Sequence, residues 1–164
     1  MTIGSNIQRV NIQNFPETKL IDLSQSMNFA ENTTPRLWQS FMPRMKEITG
    51  TIGTGLFSVQ QYNEGFFTNF NPDAVFTKWA AVSVDDFSFV PASMQMLTIP
   101  VGKYAVFHYK GSPADGAVFR YIFSEWLPQS GYQLDNRPHF EILGDKYKNG
   151  AGDSEEDIYI PIRP

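Results

Sequence analysis

The chain has no cysteine and only two histidines among its 164 residues. Without cysteine, a disulfide framework and thiolate catalysis are both excluded. His108 and His139 stand apart from any run of further ligands, whereas a zinc site needs about three or four ligands at short spacing. We therefore expect no metal and no other cofactor.

Clusters of basic residues and long apolar runs are also missing. The net charge is −4, and no Lys/Arg cluster marks a surface for nucleic acid. No stretch approaches the ~20 apolar residues of a membrane-spanning helix. Residues 1–10 lack the basic start and apolar run of a signal peptide. These absences predict a cytoplasmic protein that binds neither membrane nor nucleic acid, and they leave its oligomeric state open.

Aromatic residues, in contrast, are abundant. They make up 15% of the chain, with 14 Phe, 7 Tyr and 3 Trp. Such rings can simply fill a core, or they can line a small-molecule pocket that also holds a few polar groups. Composition leaves both interpretations open, so positions along the chain have to separate them.

The chain repeats one order of elements: strand, strand, helix, strand, strand. Thr34-Pro35 and Ser112-Pro113 occupy matching places, and each combines a hydroxyl residue with a proline. This combination is typical of a helix start with a hydroxyl cap, and it predicts helices over 35–49 and 113–129. Apolar alternation predicts strands over 6–13, 19–26, 55–62, 76–84, 94–99, 103–109, 138–143 and 157–162.

We expect a single α+β domain over residues 1–164 with two pseudo-symmetric halves, about 1–88 and 89–164. Two such halves can pair their strands into one antiparallel sheet with both helices on one face. The helices would then flank a central cleft. That cleft is a natural place for a ligand, although side chains alone could also fill it.

Five segments resemble, in order, the GyrI-like small-molecule-binding domain, which is also the effector-binding half of AraC-type and MerR-type drug-sensing transcription regulators. The segments are IPVGKYAVF at 99–107, KG at 110–111, EWLPQSGY at 125–132, RPHFE at 137–141 and IYIPI at 158–162. The resemblance covers nearly the whole chain and is strongest in the second half. It implies a ligand cleft between the helices.

Two departures from that family pattern are visible. Leu143 stands where the family often has a tyrosine, two residues after the acid of the strand. The regulators carry a helix-turn-helix domain ahead of this module, whereas here the module begins within a few residues of Met1. We therefore expect no helix-turn-helix and no direct contact with nucleic acid.

Glu141 is the sharpest candidate for a ligand contact. It lies in an otherwise apolar strand, where alternation places His139, Glu141 and Leu143 on one face. A buried carboxylate is costly unless it is paired or hydrogen-bonded. Glu141 therefore either faces water or a basic partner, or, as the resemblance implies, it is the acid at the base of the cleft that faces cationic or polar ligands.

The other candidates are aromatic or polar residues expected near the groove. The resemblance implies that Tyr159 lines the cleft. The remaining candidate ligand-binding residues are Trp38, Gln60, Tyr62, Trp79, Phe119, Phe123 and Trp126. For each ring, packing in the core is the alternative interpretation.

Three functions fit the sequence. The favoured one is a stand-alone module that senses or sequesters an amphipathic, drug-like compound, with Glu141 as countercharge if that compound is cationic. The first alternative is a hydrolase of reactive cyclopropane-type compounds, an activity of some GyrI-like proteins. Here the counterpart of Glu141 in the first half is Ser58, so a second acid would have to come from Glu64 or Glu125. The other alternative is a protein-interaction module of the gyrase-inhibitor type. We assign no catalytic residue.

Overall fold

The computed structural model describes residues 6–67, 70–112, 117–148 and 153–164. The strands are β1 (Ile7–Phe15), β2 (Thr18–Met27), β3 (Leu56–Gln61), β4 (Phe76–Ser83), β5 (Gln95–Ile99), β6 (Gly102–Lys110), β7 (Gln133–Leu134), β8 (His139–Leu143) and β9 (Glu155–Arg163). The helices are α1 (Thr34–Phe41), α2 (Ala117–Tyr121) and α3 (Leu127–Ser130). Every strand expected from the sequence is present, and the short β7 is additional.

The strands form one antiparallel sheet in the order β1-β6-β9-β8-β3-β4-β2-β5, with β7 paired to β9. The first strand of each half lies beside the second strand of the other half, because β1 pairs with β6 and β5 pairs with β2. At the centre, Ser58 of β3 lies directly opposite Glu141 of β8. Since these two residues are counterparts in the repeat, the pseudo-twofold axis passes between them.

The first helix begins with α1, and α2 and α3 together form the second helix. Both helices lie on the same face of the sheet, as expected. Directly opposed residues of neighbouring strands share a face. One such row runs across five strands, through Ala80, Ser58, Glu141, Ile158 and Phe107. The first helix packs in the cluster that contains Ala80, and the second helix packs in the cluster that contains Phe107 and Ile158. The centre of this row lies between the helices.

The first helix is shorter than expected and starts differently. It ends at Phe41, and a 3₁₀ turn follows over Met42–Glu47. Pro43 has no backbone N–H and therefore disfavours further α-helix. The hydroxyl cap is also wrong, because Thr33 makes no capping hydrogen bond. Instead the Thr34 amide donates to Asn32 Oδ1 at 3.0 Å.

The second helix contains a wide turn. Residues 113–116, where we expected its start, lie outside the described residues. Between α2 and α3 the chain forms a π-helical turn over Ile122–Trp126, in which the Leu127 amide donates to the Ile122 carbonyl. Pro128 explains this widening, because a proline ring collides with the carbonyl four residues before it in an α-helix. Gly131 ends α3 at a positive φ of 82°, a conformation that glycine adopts without strain.

The opposite face of the sheet carries a second core. The rings of Phe140 and Tyr159 stack there with centroids 4.5 Å apart, and Phe15 and Tyr104 pack against them. Phe140 and Tyr104 are fully buried. Both faces of the central strands are therefore covered, although only one of them carries the helices. Within the described ranges, no helix is long and apolar enough to cross a bilayer.

Candidate ligand-binding groove

A cavity of about 440 Å³ opens between the two helices over the centre of the sheet. Thr34 and Pro35 at the start of α1 line one side, and Phe119 and Phe123 line the other. Its floor is polar and comes from the central strands: Gln60 of β3, Lys78 of β4, and His139 and Glu141 of β8. Small-molecule sites typically measure ~300–1,000 Å³, so the cleft expected from the repeat has a suitable size for a ligand.

Glu141 is buried beside this cavity with half of its hydrogen-bonding capacity unused. Its side chain is 8% exposed. Oε1 accepts a long hydrogen bond of 3.4 Å from Gln60 Nε2, whereas Oε2 has no partner among the described residues. Burial raises the pKa of Glu141, and the positive charge of Lys78 opposes that rise. A desolvated carboxylate of this kind gains stability from any added cation or donor.

Glu156 supplies the second buried acid. It lies on β9, two residues before Ile158, and therefore shares the helix face with Glu141. Burial raises its pKa, and the nearby charge of Glu141 raises it further. The sequence suggested Glu64 or Glu125 for this role, but both are exposed. Glu156 was missed because β9 begins at Glu155, two residues before the strand that we predicted over 157–162.

Lys78 is the third charged group at the site. It lies on β4 directly opposite Gln60 and lines the cavity. Burial lowers its pKa, while the charges of Glu141 and Glu156 act in the other direction. In the described part of the chain, no ion pair within 4.0 Å joins Lys78 to a carboxylate. The three groups therefore interact through space, without direct contact.

Aromatic rings close the wall on the side of the second helix. Phe67, from the loop after β3, stacks on Phe123 with centroids 4.1 Å apart and planes 14° from parallel. Tyr62 meets Phe67 and His139 edge-on at 4.8 and 4.9 Å. Burial lowers the pKa of His139 to about 3, so this ring is neutral at physiological pH. The wall thus offers flat, uncharged faces that suit an apolar or cationic group.

Five of the residues that we predicted at the site do line this cavity: Gln60, Tyr62, Phe119, Phe123 and Glu141. The structure thus places Glu141 beside the groove between the helices. Whether these residues contact a ligand stays a prediction.

Four predicted residues lie elsewhere. Trp38 packs edge-on against Phe41 under α1, and Trp126 packs edge-on against Phe107. Both rings belong to the cores under the helices, which was the alternative interpretation for each.

Tyr159 and Trp79 lie on the sheet face away from the helices. Tyr159 directly follows Ile158, which shares the face of Glu141, so alternation turns the tyrosine to the other side. Trp79 lies opposite Val59 and packs in the same second core. The position of Tyr159 implied by the family resemblance is therefore wrong for this chain.

Several lining residues were not predicted. They are Phe29, Asn32, Thr34, Pro35, Phe67, Phe76, Lys78, His139, Tyr147 and Ile160. Lys78 carries the same signal that identified Glu141, a single charge inside an apolar strand. Phe67 and Tyr147 come from loops, whose positions follow from tertiary packing and not from a local pattern.

Comparison with known families identifies the domain. The family described as Cass2, the integron-associated effector binding protein, matches residues 12–162. The chain belongs to this family. The match agrees with the resemblance to GyrI-like effector-binding domains and covers both halves of the repeat.

The transcriptional regulator BrlR of Pseudomonas aeruginosa is similar in sequence. It is 29% identical over 137 residues, which cover 80% of this chain and 47% of that protein. The chain thus spans about half the length of this regulator.

Solved structures share the fold. SAV2435 bound to tetraphenylphosphonium has a TM-score of 0.70 at 16% identity and covers 95% of this chain and 94% of its own. The C-terminal domain of EcmrR has a TM-score of 0.68 at 19% identity, with 94% and 97% covered. A hydrolase from Listeria innocua has a TM-score of 0.59 at 12% identity, with 96% and 93% covered. The fold therefore occurs in proteins with different functions.

Proposed function

We propose that the groove between the helices binds an amphipathic organic cation and that the protein senses or sequesters this compound. The observation that carries the proposal is Glu141 Oε2, a buried carboxylate oxygen that has no partner among the described residues and lies beside an aromatic-walled cavity. Membership of an effector-binding family supports a binding role. The net charge of −4 favours a protein that acts without touching nucleic acid itself. We place it in the cytoplasm as a single domain.

The physical basis is the sum of several modest contributions. Each ring that meets a desolvated cation contributes ~0.5–2 kcal/mol, and Tyr62, Phe67 and Phe123 lie close enough together to face one ligand. The acids add the charge preference. Without a ligand, Lys78 compensates part of their negative charge, while burial favours the protonated acids. A bound cation would add positive charge and thereby favour the ionised form of Glu141 and Glu156.

The test compares two ions of the same shape and opposite charge. Tetraphenylphosphonium and tetraphenylborate are titrated calorimetrically into wild type, Glu141→Gln and the control Glu64→Gln, which removes an exposed acid. Tetraphenylphosphonium has no hydrogen-bond donor, so its preference for Glu141 rests on charge alone. Two unit charges ~6 Å apart attract by up to ~3 kcal/mol at an effective dielectric constant of ~20, so we expect Glu141→Gln to weaken the phosphonium by ~10- to 100-fold. The borate should bind the variant at least as well as wild type, and the control should match wild type.

Two outcomes would contradict the proposal. If tetraphenylphosphonium does not bind wild type, the groove is not a site for lipophilic cations. If Glu141→Gln weakens both ions equally, Glu141 maintains the shape of the pocket and does not recognise charge.

A hydrolase is the second candidate, because Glu156, a second buried acid, interacts electrostatically with Glu141 at the cavity floor. Carboxyl groups with raised pKa values can serve as general acids near neutral pH, and burial raises the pKa of both Glu141 and Glu156. Incubation with a cyclopropane-bearing electrophile, followed by mass spectrometry, tests this candidate. A hydrolysed product that disappears with Glu141→Gln or Glu156→Gln would favour the enzyme, and unaltered compound would favour binding alone.

A further inference from the structure

Lys78 is the one lysine or arginine among the described residues that line the cavity. It projects from β4 on the face that also carries Ala80, the side covered by the first helix. No hydrogen bond from its ammonium group is found within the described ranges. An ammonium group presents three donors, and here they border the cavity.

The floor of the cavity is therefore polarised from one side to the other. Lys78 on β4 lies opposite Gln60 on β3, and the Gln60 amide donates to Glu141 on β8. Neighbouring strands lie ~4.8 Å apart, so β4 and β8 are separated by roughly 10 Å. The strand positions that carry the positive and the negative side chain are thus separated by an intervening strand that carries a neutral amide.

This arrangement favours a simple lipophilic cation less than a ligand that carries charges of both signs. A cation that fills the groove would approach Glu141 favourably and Lys78 unfavourably. A ligand that also carries an anionic group could satisfy both ends, since the ammonium group forms its strongest hydrogen bonds with carboxylates and similar anions.

We propose that Lys78 determines specificity by binding an anionic group of the ligand, so that the site takes zwitterionic amphiphiles in preference to simple lipophilic cations. This inference rests on the proposed function. In that arrangement the cationic part of the ligand lies between Glu141 and the aromatic wall, while its carboxylate points toward β4.

A different role for Lys78 has to be separated from this one. It could serve only as an internal countercharge to Glu141 and Glu156, whose charges both act on it. In that case its removal would change the affinity for every cation by a similar factor. A role in specificity instead changes the ratio of affinities for two ligands that differ only in the anionic group.

The experiment uses (4-carboxyphenyl)triphenylphosphonium, a zwitterion at neutral pH, and its methyl ester, a cation of nearly the same shape. Both are titrated by calorimetry into wild type, Lys78→Met, Lys78→Arg and the control Lys46→Met, which removes an exposed lysine. A charge-assisted hydrogen bond predicts that wild type prefers the zwitterion by ~10-fold or more. Lys78→Met should abolish that preference, while Lys78→Arg and Lys46→Met should retain it.

Each result decides between the interpretations. A wild-type protein that prefers the ester, or that binds both ligands equally, overturns the inference without any variant. Equal loss of both ligands in Lys78→Met also overturns it, because Lys78 would then only maintain the pocket. If the ester and tetraphenylphosphonium bind while the zwitterion does not, the proposed function stands and the inference fails. If none of the three binds wild type, the proposed function itself fails, and the inference fails with it.

Discussion

Asp22 makes the stability of this protein depend on pH. It lies on β2 opposite Ala81, on the sheet face away from the helices, and it is 0% exposed. Neither of its carboxyl oxygens has a hydrogen-bond partner among the described residues. Burial raises its pKa from 3.8 to about 7, so the folded protein holds a proton there that the unfolded chain releases.

The sign of the effect follows from this difference. Between about pH 4 and pH 7 the folded state binds more protons at Asp22 than the unfolded state, so the free energy of unfolding falls as the pH rises. One pKa unit corresponds to about 1.4 kcal/mol. A rise from 3.8 to about 7 therefore costs at most ~4 kcal/mol once the pH exceeds both values.

Asp22→Asn removes the titration and nearly keeps the shape. We expect the variant to be more stable than wild type near pH 8 by up to ~4 kcal/mol and about equal to it near pH 4. Urea unfolding followed by circular dichroism at a series of pH values measures both curves, and an unchanged m-value shows that the folded state is comparable. Asp73→Asn, at an exposed position, is the matched control. Parallel curves for wild type and Asp22→Asn would refute the reasoning, because they would show that Asp22 is already ionised in the folded protein.

Two further predictions concern the groove. Phe123→Ala removes the ring that stacks on Phe67. Since an aromatic pair contributes ~0.5–1.5 kcal/mol, tetraphenylphosphonium should bind this variant about 2- to 10-fold more weakly than wild type. Phe89→Ala, at an exposed ring, is the control, and an unchanged affinity of Phe123→Ala would show that Phe123 does not contact the ligand. The affinity for tetraphenylphosphonium should also rise with pH, because burial raises the pKa of Glu141 to about 7 and protonation of the acid removes the countercharge. Titrations at pH 6 and at about pH 8.5 measure this rise. An equally steep rise in Glu141→Gln would show that another group causes the pH dependence.

The sequence contained enough information for most of the fold. Alternation located the strands on both sides of Glu141, and the repeated order of elements placed both helices on one side of a single sheet. The helix ends were less predictable. Pro43 and Pro128 change the hydrogen-bonding pattern inside segments whose apolar spacing looks helical throughout, so spacing alone overestimates the length of regular helix.

The candidate site was predictable only in part, because both faces of the central strands are buried. The alternation of side chains along such a strand then indicates which residues share a face, but it does not indicate which face carries the groove. Glu141 resolved this for its own strand, whereas Tyr159 and Trp79 required the pairing between strands, which only the structure provides. Lys78 could have been found from its sequence, since a lone lysine in an apolar strand is as unusual as a lone glutamate.

The exchange of first strands between the two halves has a consequence for how the chain is made. Among the described residues, β1 pairs with β6 alone, and Phe15 meets Gly102, which lies 87 positions later in the sequence. Contacts of such long range slow folding, because loop-closure entropy is lost before the pairing is gained. During synthesis, β1 leaves the ribosome without a partner and must wait until residue 110 has emerged. Strands β8 and β9 appear later still, so the groove between the helices becomes complete only after β9 has been released.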